Sequence, residues 1–234
     1  MTPELIAVGL IWYVVFLFST TCHEAAHAFV AEKQGDSTAF DGGQVTLHPG
    51  PHIKREPFGM VLFPIVSYLM GGWMMGWASA PYDPAWSARF AQRAAKMALA
   101  GPAANFLLAL LAALGIYFGL WTGAFHVPVS ANFIHIVAAK PGLAEVAAQI
   151  FSLLFSLNVL LGVFNLLPVP PLDGFTAFAL LMSEEKAQRF ESVGRSMRNF
   201  SYAGLLLSWS LFDRFYQPIF TLALKLLYPW AHFS

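Results

Sequence analysis

His23-Glu24-Ala25-Ala26-His27 closes an eighteen-residue uncharged run from Leu5 to Cys22. On an α-helix, positions i and i+4 lie about 40° apart around the axis and about 6 Å along it, so both imidazoles can face one ion. Glu24 then projects beside the pair. In this HExxH spacing the histidines bind Zn²⁺, and the glutamate serves as general base toward the water that the ion polarises. Strongly polar side chains inside an apolar segment cost about 2.5 kcal/mol or more each on insertion scales, and a metal ion offsets that burial. The bland alternative is a polar helix face whose histidines hydrogen-bond to backbone or hydroxyls.

Composition sets the surroundings of this cluster. The 234 residues are 57% hydrophobic and 11% charged, against about 25% charged in a soluble domain. An integral membrane protein is expected. The formal net charge is zero, so no basic footprint for nucleic acid exists. Cys22 is the single cysteine, which excludes an internal disulfide and a cysteine-rich zinc site. It adjoins His23, but neighbouring side chains diverge by about 100° on a helix, so it reads as a packing residue. The first apolar run lacks a basic n-region, and cleaving it would discard the cluster, so no removable signal peptide is expected.

Each crossing of the hydrocarbon core needs about 20 residues. Leu5 to Ala31, Met97 to Phe125 and Val146 to Leu172 are apolar runs of that length. Pro57 to Tyr82 is also uncharged, but Pro57, Pro64, Pro81, Gly59, Gly71, Gly72 and Gly76 make one straight helix unfavourable. Ser201 to Trp230 is apolar but interrupted by Asp213, Arg214 and Pro218. One span with an interfacial helix, or a short hairpin, fits it. Asp213 and Arg214 read as mutual compensation.

Ten of the thirteen basic residues flank the second apolar run or follow the fourth: Lys33, Lys54, Arg55, Arg89, Arg93, Lys96, then Lys186, Arg189, Arg195 and Arg198. The positive-inside rule puts these on the cytoplasmic side, with the amino terminus outside and the His-Glu-His cluster near the cytoplasmic end of its helix. Basic residues on both sides of Pro57 to Tyr82 then make that segment enter and return, as a short helix plus an extended stretch. Irregular backbone at membrane depth needs protein or a water-filled cavity around it, so this segment is a candidate crevice wall. Trp73, Trp77, Trp86, Trp121 and Trp230 fall near run ends, as interfacial anchors do.

A second constellation is Asn165-Leu166-Leu167-Pro168-Val169-Pro170-Pro171-Leu172-Asp173-Gly174. The prolines stop the helix and leave Asp173 at a bend, placed as an outer ligand or as a simple capping residue. His23 to His27, Gly101-Pro102-Ala103-Ala104-Asn105 and the Asn165 to Gly174 stretch together resemble, in order, the three signature motifs of the site-2 protease family of intramembrane zinc metalloproteases. The resemblance covers roughly residues 5 to 180. It implies that His23, His27 and Asp173 bind one catalytic Zn²⁺ and that Glu24 is the general base and later the proton donor to the leaving amine. Catalytic zinc sites keep three protein ligands and one open position, in keeping with that set. Asn165 and Asn105 match family asparagines that hold the substrate backbone or the developing oxyanion. Structurally, Gly101, Pro102 and an intramembrane asparagine also suit close helix packing and bridging.

Gly42 to Pro57, with its strand-like Gln44-Val45-Thr46-Leu47, is similar to the family's membrane-associated β-loop, whose edge could pair with an unwound substrate. The family commonly has asparagine where His48 stands and an acidic residue shortly after His52, where this chain has Lys54 and Arg55. His48 and His52 therefore read as surface histidines, with an accessory metal contact as the lesser alternative. Gly123 to Glu145 is too short for the peptide-binding domain inserted in some family members, and no nucleotide-sensing tail is expected after Trp230.

The expected fold is an all-α polytopic membrane protein, a single domain over 1–234. A three-helix catalytic core near 5–180 carries a re-entrant β-loop segment and flanking helices, and C-terminal membrane helices occupy about 200–230. The implied activity is hydrolysis of a peptide bond in or near a transmembrane helix of a single-pass protein or a leftover signal peptide, after trimming by an upstream protease. Lipid bilayer is a partner and nucleic acid is not. The expected location is a bacterial cytoplasmic (inner) membrane, multi-pass, amino terminus outside. Two rivals share the polar residues: a zinc-dependent hydrolase of lipid amides, and an ion or metal transporter.

Overall fold

A computed structural model describes residues 2–196, 214 and 216–231. Three helices dominate it: α1 (Pro3–Gln34), α6 (Ala91–Trp121) and α7 (Leu143–Asn165). At about 1.5 Å per residue they run about 48, 46 and 35 Å, enough to cross a hydrocarbon core of about 30 Å. They are the helices, among the described residues, long and apolar enough to do so. α1 starts on Pro3 with Thr2 Oγ1 accepting from Leu5 N, a favourable first turn because proline has no N–H to leave unpaired. α7 stops at Asn165, just ahead of Pro168, Pro170 and Pro171, which end the helix inside the apolar run as expected.

The three helices pack against one another, α6 touching both α1 and α7. Small residues make this possible, since association in lipid depends on close approach. Ala109, Ala112 and Ile116 of α6 are buried against Phe155, Val159 and Val163 of α7. Leu10, Val14 and Phe18 of α1 and Leu107, Leu110, Leu114 and Phe118 of α6 are exposed. That pattern, apolar outside with Asn105, Asn158, Ser19, Ser152 and Ser156 buried inside, suits a lipid solvent.

Between α1 and α6 lie α2 (Thr38–Asp41), α3 (Pro49–Arg55), a π-helical turn (Phe58–Leu62), α4 (Phe63–Gly71) and α5 (Pro84–Arg89). Residues 57–82 fold back on themselves. After α4 the chain returns extended, with Met75 N donating to Ser67 Oγ at 2.9 Å and Trp77 N to Gly59 O at 3.1 Å. This hairpin lies along α1: Tyr68 Oη donates to Leu5 O at 2.9 Å, and Trp73 meets the Trp12 ring edge-on at 5.9 Å.

The expected strand at Gln44 to Leu47 does not form. Among the described residues the paired strands are β1 (Phe125–His126) and β2 (Ala138–Ala139), antiparallel, in the loop joining α6 to α7. Thr46 and His48 instead cap α3: His48 N donates to Thr46 Oγ1 and Gly50 N to His48 Nδ1. With no neighbouring strand, these local bonds satisfy the backbone better than an unpaired edge would.

After α7 come α8 (Asp173–Ala177), a 3₁₀ turn (Phe178–Leu181) and the polar α9 (Glu184–Ser196). α9 buries Ala187 against Ala91 and Ala95 of α6. Residues 216–227 form a last helix, α10, whose Tyr216, Phe220, Leu224 and Leu227 join the α6–α7 core. Its described residues run about 18 Å. Asp213 and most of the segment expected to cross from Ser201 lie outside the described residues.

Candidate metal centre

One turn apart on α1, the His23 and His27 rings meet nearly at right angles, centroids 4.6 Å apart. Their Nε2 atoms are 3.0 Å apart, and Asp173 Oδ2 lies 3.1 Å from the first and 3.3 Å from the second. Both histidines are buried. All three ligand atoms lie within 4.8 Å of one another. For metal–ligand bonds of about 2.0–2.1 Å, a tetrahedral edge is about 3.3 Å, so the triangle has the size zinc requires.

The far side of each ring fixes its protonation. His27 Nδ1 is 2.7 Å from Met97 O, and a carbonyl can only accept, so Nδ1 carries the hydrogen. His23 Nδ1 is 2.6 Å from Asn105 Oδ1, again an acceptor. In the neutral imidazoles both Nε2 atoms then turn lone pairs toward each other and toward a carboxylate oxygen. Three converging lone pairs repel unless a cation sits among them. Gly101 supplies the room: a Cβ there would run into both Nε2 atoms. This donor set and this hollow fit Zn²⁺, with hydrogen bonds behind the imidazoles of the kind that orient metal-binding histidines.

Asp173 arrives from a different part of the chain. Leu172, the residue capping α8, is extended (φ −71°, ψ 153°), and Asp173 opens the helix. Gly174 has no side chain because the α7–α8 connection doubles tightly back: a Cβ there would strike Leu166 O and Leu167 O. α8 packs on α6, which brings Asp173 over Gly101 and the two rings.

Glu24 is buried, and among the described residues no side chain or backbone group holds its carboxylate. Asn165 sits half-buried at the end of α7 and donates to Leu161 O of its own helix at 3.0 Å. Asn105 is fully buried, its oxygen on His23 and its nitrogen on Asn158 Oδ1 at 2.8 Å. Both ends of its amide are thus engaged inside the helix bundle, behind the imidazole. Of the two histidines expected at the surface, His48 caps α3, whereas His52 is buried, its Nε2 3.1 Å from Thr46 O. Sequence reading missed Met97 O and Asn158 as supports and Gly101 as the hollow. An asparagine in the middle of an uncharged span was the available signal for Asn158.

Three membrane-length helices surround a His–His–Asp triangle whose histidines are buried and whose aspartate is partly exposed, with Glu24 next to the first histidine. The chain belongs to peptidase family M50, whose family model, "Peptidase family M50", matches residues 11–208. It is similar to "Putative zinc metalloprotease YwhC" of Bacillus subtilis (strain 168), 34% identical over 163 residues, 69% of this chain and 64% of that protein. It is also similar to "Putative zinc metalloprotease Rip2" of Mycolicibacterium smegmatis, 32% identical over 162 residues, 69% of this chain and 53% of that protein. The matched region thus spans less than two thirds of either relative. No solved structure matches the chain.

Proposed function

We propose that this protein is an intramembrane zinc metalloprotease that cuts a peptide bond in or near a transmembrane helix of a single-pass membrane protein. The observation that carries the reading is the convergence of His23, His27 and Asp173 on one point of a membrane-length helix, with Glu24 alongside. Zinc, when held by those three residues, supplies a Lewis acid that polarises water and the scissile carbonyl. Glu24 does the proton work. Its carboxylate takes the proton of the attacking water and delivers it to the leaving nitrogen. Asn165 keeps its oxygen and one amide hydrogen available to hold the substrate backbone or the oxyanion, a contribution of about 3 kcal/mol for one such donor. Asn105 acts behind His23, as a positioning residue.

A helical peptide bond has its carbonyl and N–H engaged, so the substrate must unwind locally before Glu24 and the ligands can reach it. The 57–82 hairpin is read as re-entrant, walling the crevice about two turns from His23 along α1, where Phe16 packs on Gly76. Basic-residue placement puts the amino terminus outside and cleavage near the cytoplasmic face of a bacterial inner membrane. The substrate is a tethered regulator or leftover signal peptide, trimmed first by another protease. The names of the two relatives, "Putative zinc metalloprotease" in each case, support the chemistry.

The test is Glu24→Gln, nearly isosteric but unable to accept the proton. It should keep zinc and lose cleavage of a helix-destabilised transmembrane peptide by at least 10²-fold. Near-wild-type cleavage removes Glu24 from the mechanism. Cleavage of a ceramide and not the peptide favours the lipid-amide hydrolase, and zinc flux through liposomes favours the transporter.

A further inference from the structure

His27 is oriented by a backbone carbonyl of the adjoining helix, whereas His23 depends on a side chain, and an amide side chain can turn either way. Something must decide which end of Asn105 faces the imidazole. The hydrogen bonds answer this from the far end. Asn158 Nδ2 lies 2.8 Å from Leu154 O and 2.8 Å from Ser19 Oγ. Leu154 O can only accept, so the nitrogen of Asn158 must face it, and Asn158 Oδ1 is left to face Asn105. That oxygen accepts from Asn105 Nδ2 at 2.8 Å, which turns Asn105 Oδ1 toward His23 Nδ1 at 2.6 Å. Reversing any member would set oxygen against oxygen, or the ring's lone pair against Asn105 Oδ1. The direction of every bond therefore follows from one carbonyl on α7.

We propose that Asn158 is a positioning residue for the metal centre: acting through Asn105, it holds His23 as the Nδ1–H tautomer and presents the Nε2 lone pair to the ion. This rests on the metal reading above. The relay crosses all three long helices, from α7 to α6 to α1, and Asn158 and Asn105 are fully buried. No water competes there. Two buried amides in an apolar bundle would be costly as mere packing, since each leaves strong donors and acceptors to be paired. Here each amide's oxygen is matched by one donor, and Ser19 and Leu154 consume both hydrogens of Asn158.

The experiment measures zinc affinity by chelator competition on purified protein, for wild type, Asn158→Leu, Asn105→Leu and the double variant. Either single change should weaken zinc by 10- to 100-fold, the range for partners that orient a metal-binding histidine. The double variant should be no weaker than Asn105→Leu, because Asn158 acts only through Asn105. Asn158→Asp, whose buried carboxyl stays protonated, can donate to Leu154 O and accept from Asn105, and should restore affinity to within about threefold. If Asn158→Leu does not fold, Asn158→Ser, too short to reach Asn105, carries the same expectation. Ser152→Ala is the control for a purely structural polar group. Ser152 Oγ pins Ile136 N and Val137 N, so its loss should lower thermal stability and leave zinc affinity unchanged.

Wild-type affinity in Asn158→Leu or Asn158→Ser, additive losses in the double variant, or an Asn158→Asp variant as weak as Asn158→Leu would each overturn the relay. A wild-type protein that takes no zinc overturns the metal reading instead, so the two failures are distinguishable.

Discussion

Phe175 and Phe190 stack with ring centroids 4.5 Å apart and planes 25° from parallel. Phe175 stands two residues after Asp173 on α8, and Phe190 lies on α9, so the stack joins the third ligand's helix to a polar helix beyond the apolar spans. Phe178 adds a second contact to Phe190 at 5.9 Å. A five-residue helix cannot hold its own shape. Its orientation comes from what it packs against. Phe190→Ala should therefore weaken zinc binding several-fold as well as lowering Tm, read by chelator competition and thermal melting. A lower Tm with unchanged zinc affinity would show that Asp173 is placed without α9.

Gly101 separates site from scaffold. Alanine is the better helix former by about 1 kcal/mol, so propensity alone would favour Gly101→Ala. The added methyl would nevertheless occupy the space against both Nε2 atoms. Zinc content and cleavage should both fall, and metal analysis beside a melting curve checks it. Full zinc occupancy would mean that the ion sits away from the Gly101 face.

Asp173→Ala should yield an inserted protein that has lost most of its zinc, while Asp41→Ala, which removes an exposed partner of Ser37, should keep it. The two remaining ligands are one short of the three that a catalytic zinc site uses. Retained zinc without Asp173 would end its assignment as a ligand.

The meeting of His23, His27 and Asp173 was legible: HExxH needs only the helical period, and the family resemblance, with the proline run that makes Asp173 turn, singled out the third residue. The three long helices were legible from uncharged length. What the sequence hid were relationships between helices. Asn105 reads equally well as a substrate contact or a helix bridge until Asn158 and His23 are seen on its two ends. Gly101 shows its purpose only when the rings are placed against it. The strand expected at Gln44 to Leu47 failed because β structure needs a partner, and capping bonds to Thr46 and His48 were closer at hand.

Topology is checked by single cysteines on a Cys22→Ala background. Ser37 and Ala85 are exposed at the two ends of the region containing the 57–82 hairpin, and Ser130 is exposed in the α6–α7 loop. Ser37→Cys and Ala85→Cys should be labelled from the cytoplasm and Ser130→Cys from outside. Labelling of the first two from opposite sides would make the hairpin a crossing and remove it as a crevice wall.

Glu191 offers a test by pH. It is buried on α9, where Ser87 Oγ donates to its Oε1 at 3.0 Å and Arg195 stands 3.7 Å away. Burial raises its pKa above the ordinary glutamate value, with Ser87 and Arg195 only partly opposing the rise. A carboxyl whose folded pKa is raised favours the folded state below its unfolded value and loses that contribution as pH climbs through the folded one. Glu191→Gln can still accept from Ser87 and never ionises, and the half-exposed ion pair it gives up is worth little. The Tm difference between variant and wild type, measured in detergent, should be near zero at the acidic end, just below the ordinary glutamate range, and grow in the variant's favour as pH rises. Taking the difference cancels every other titrating group that both proteins share, His23 and His27 included. A difference that stays flat with pH, or that favours the wild type at neutral pH, would mean that the Arg195 contact outweighs burial and that α9 docks through its ion pair.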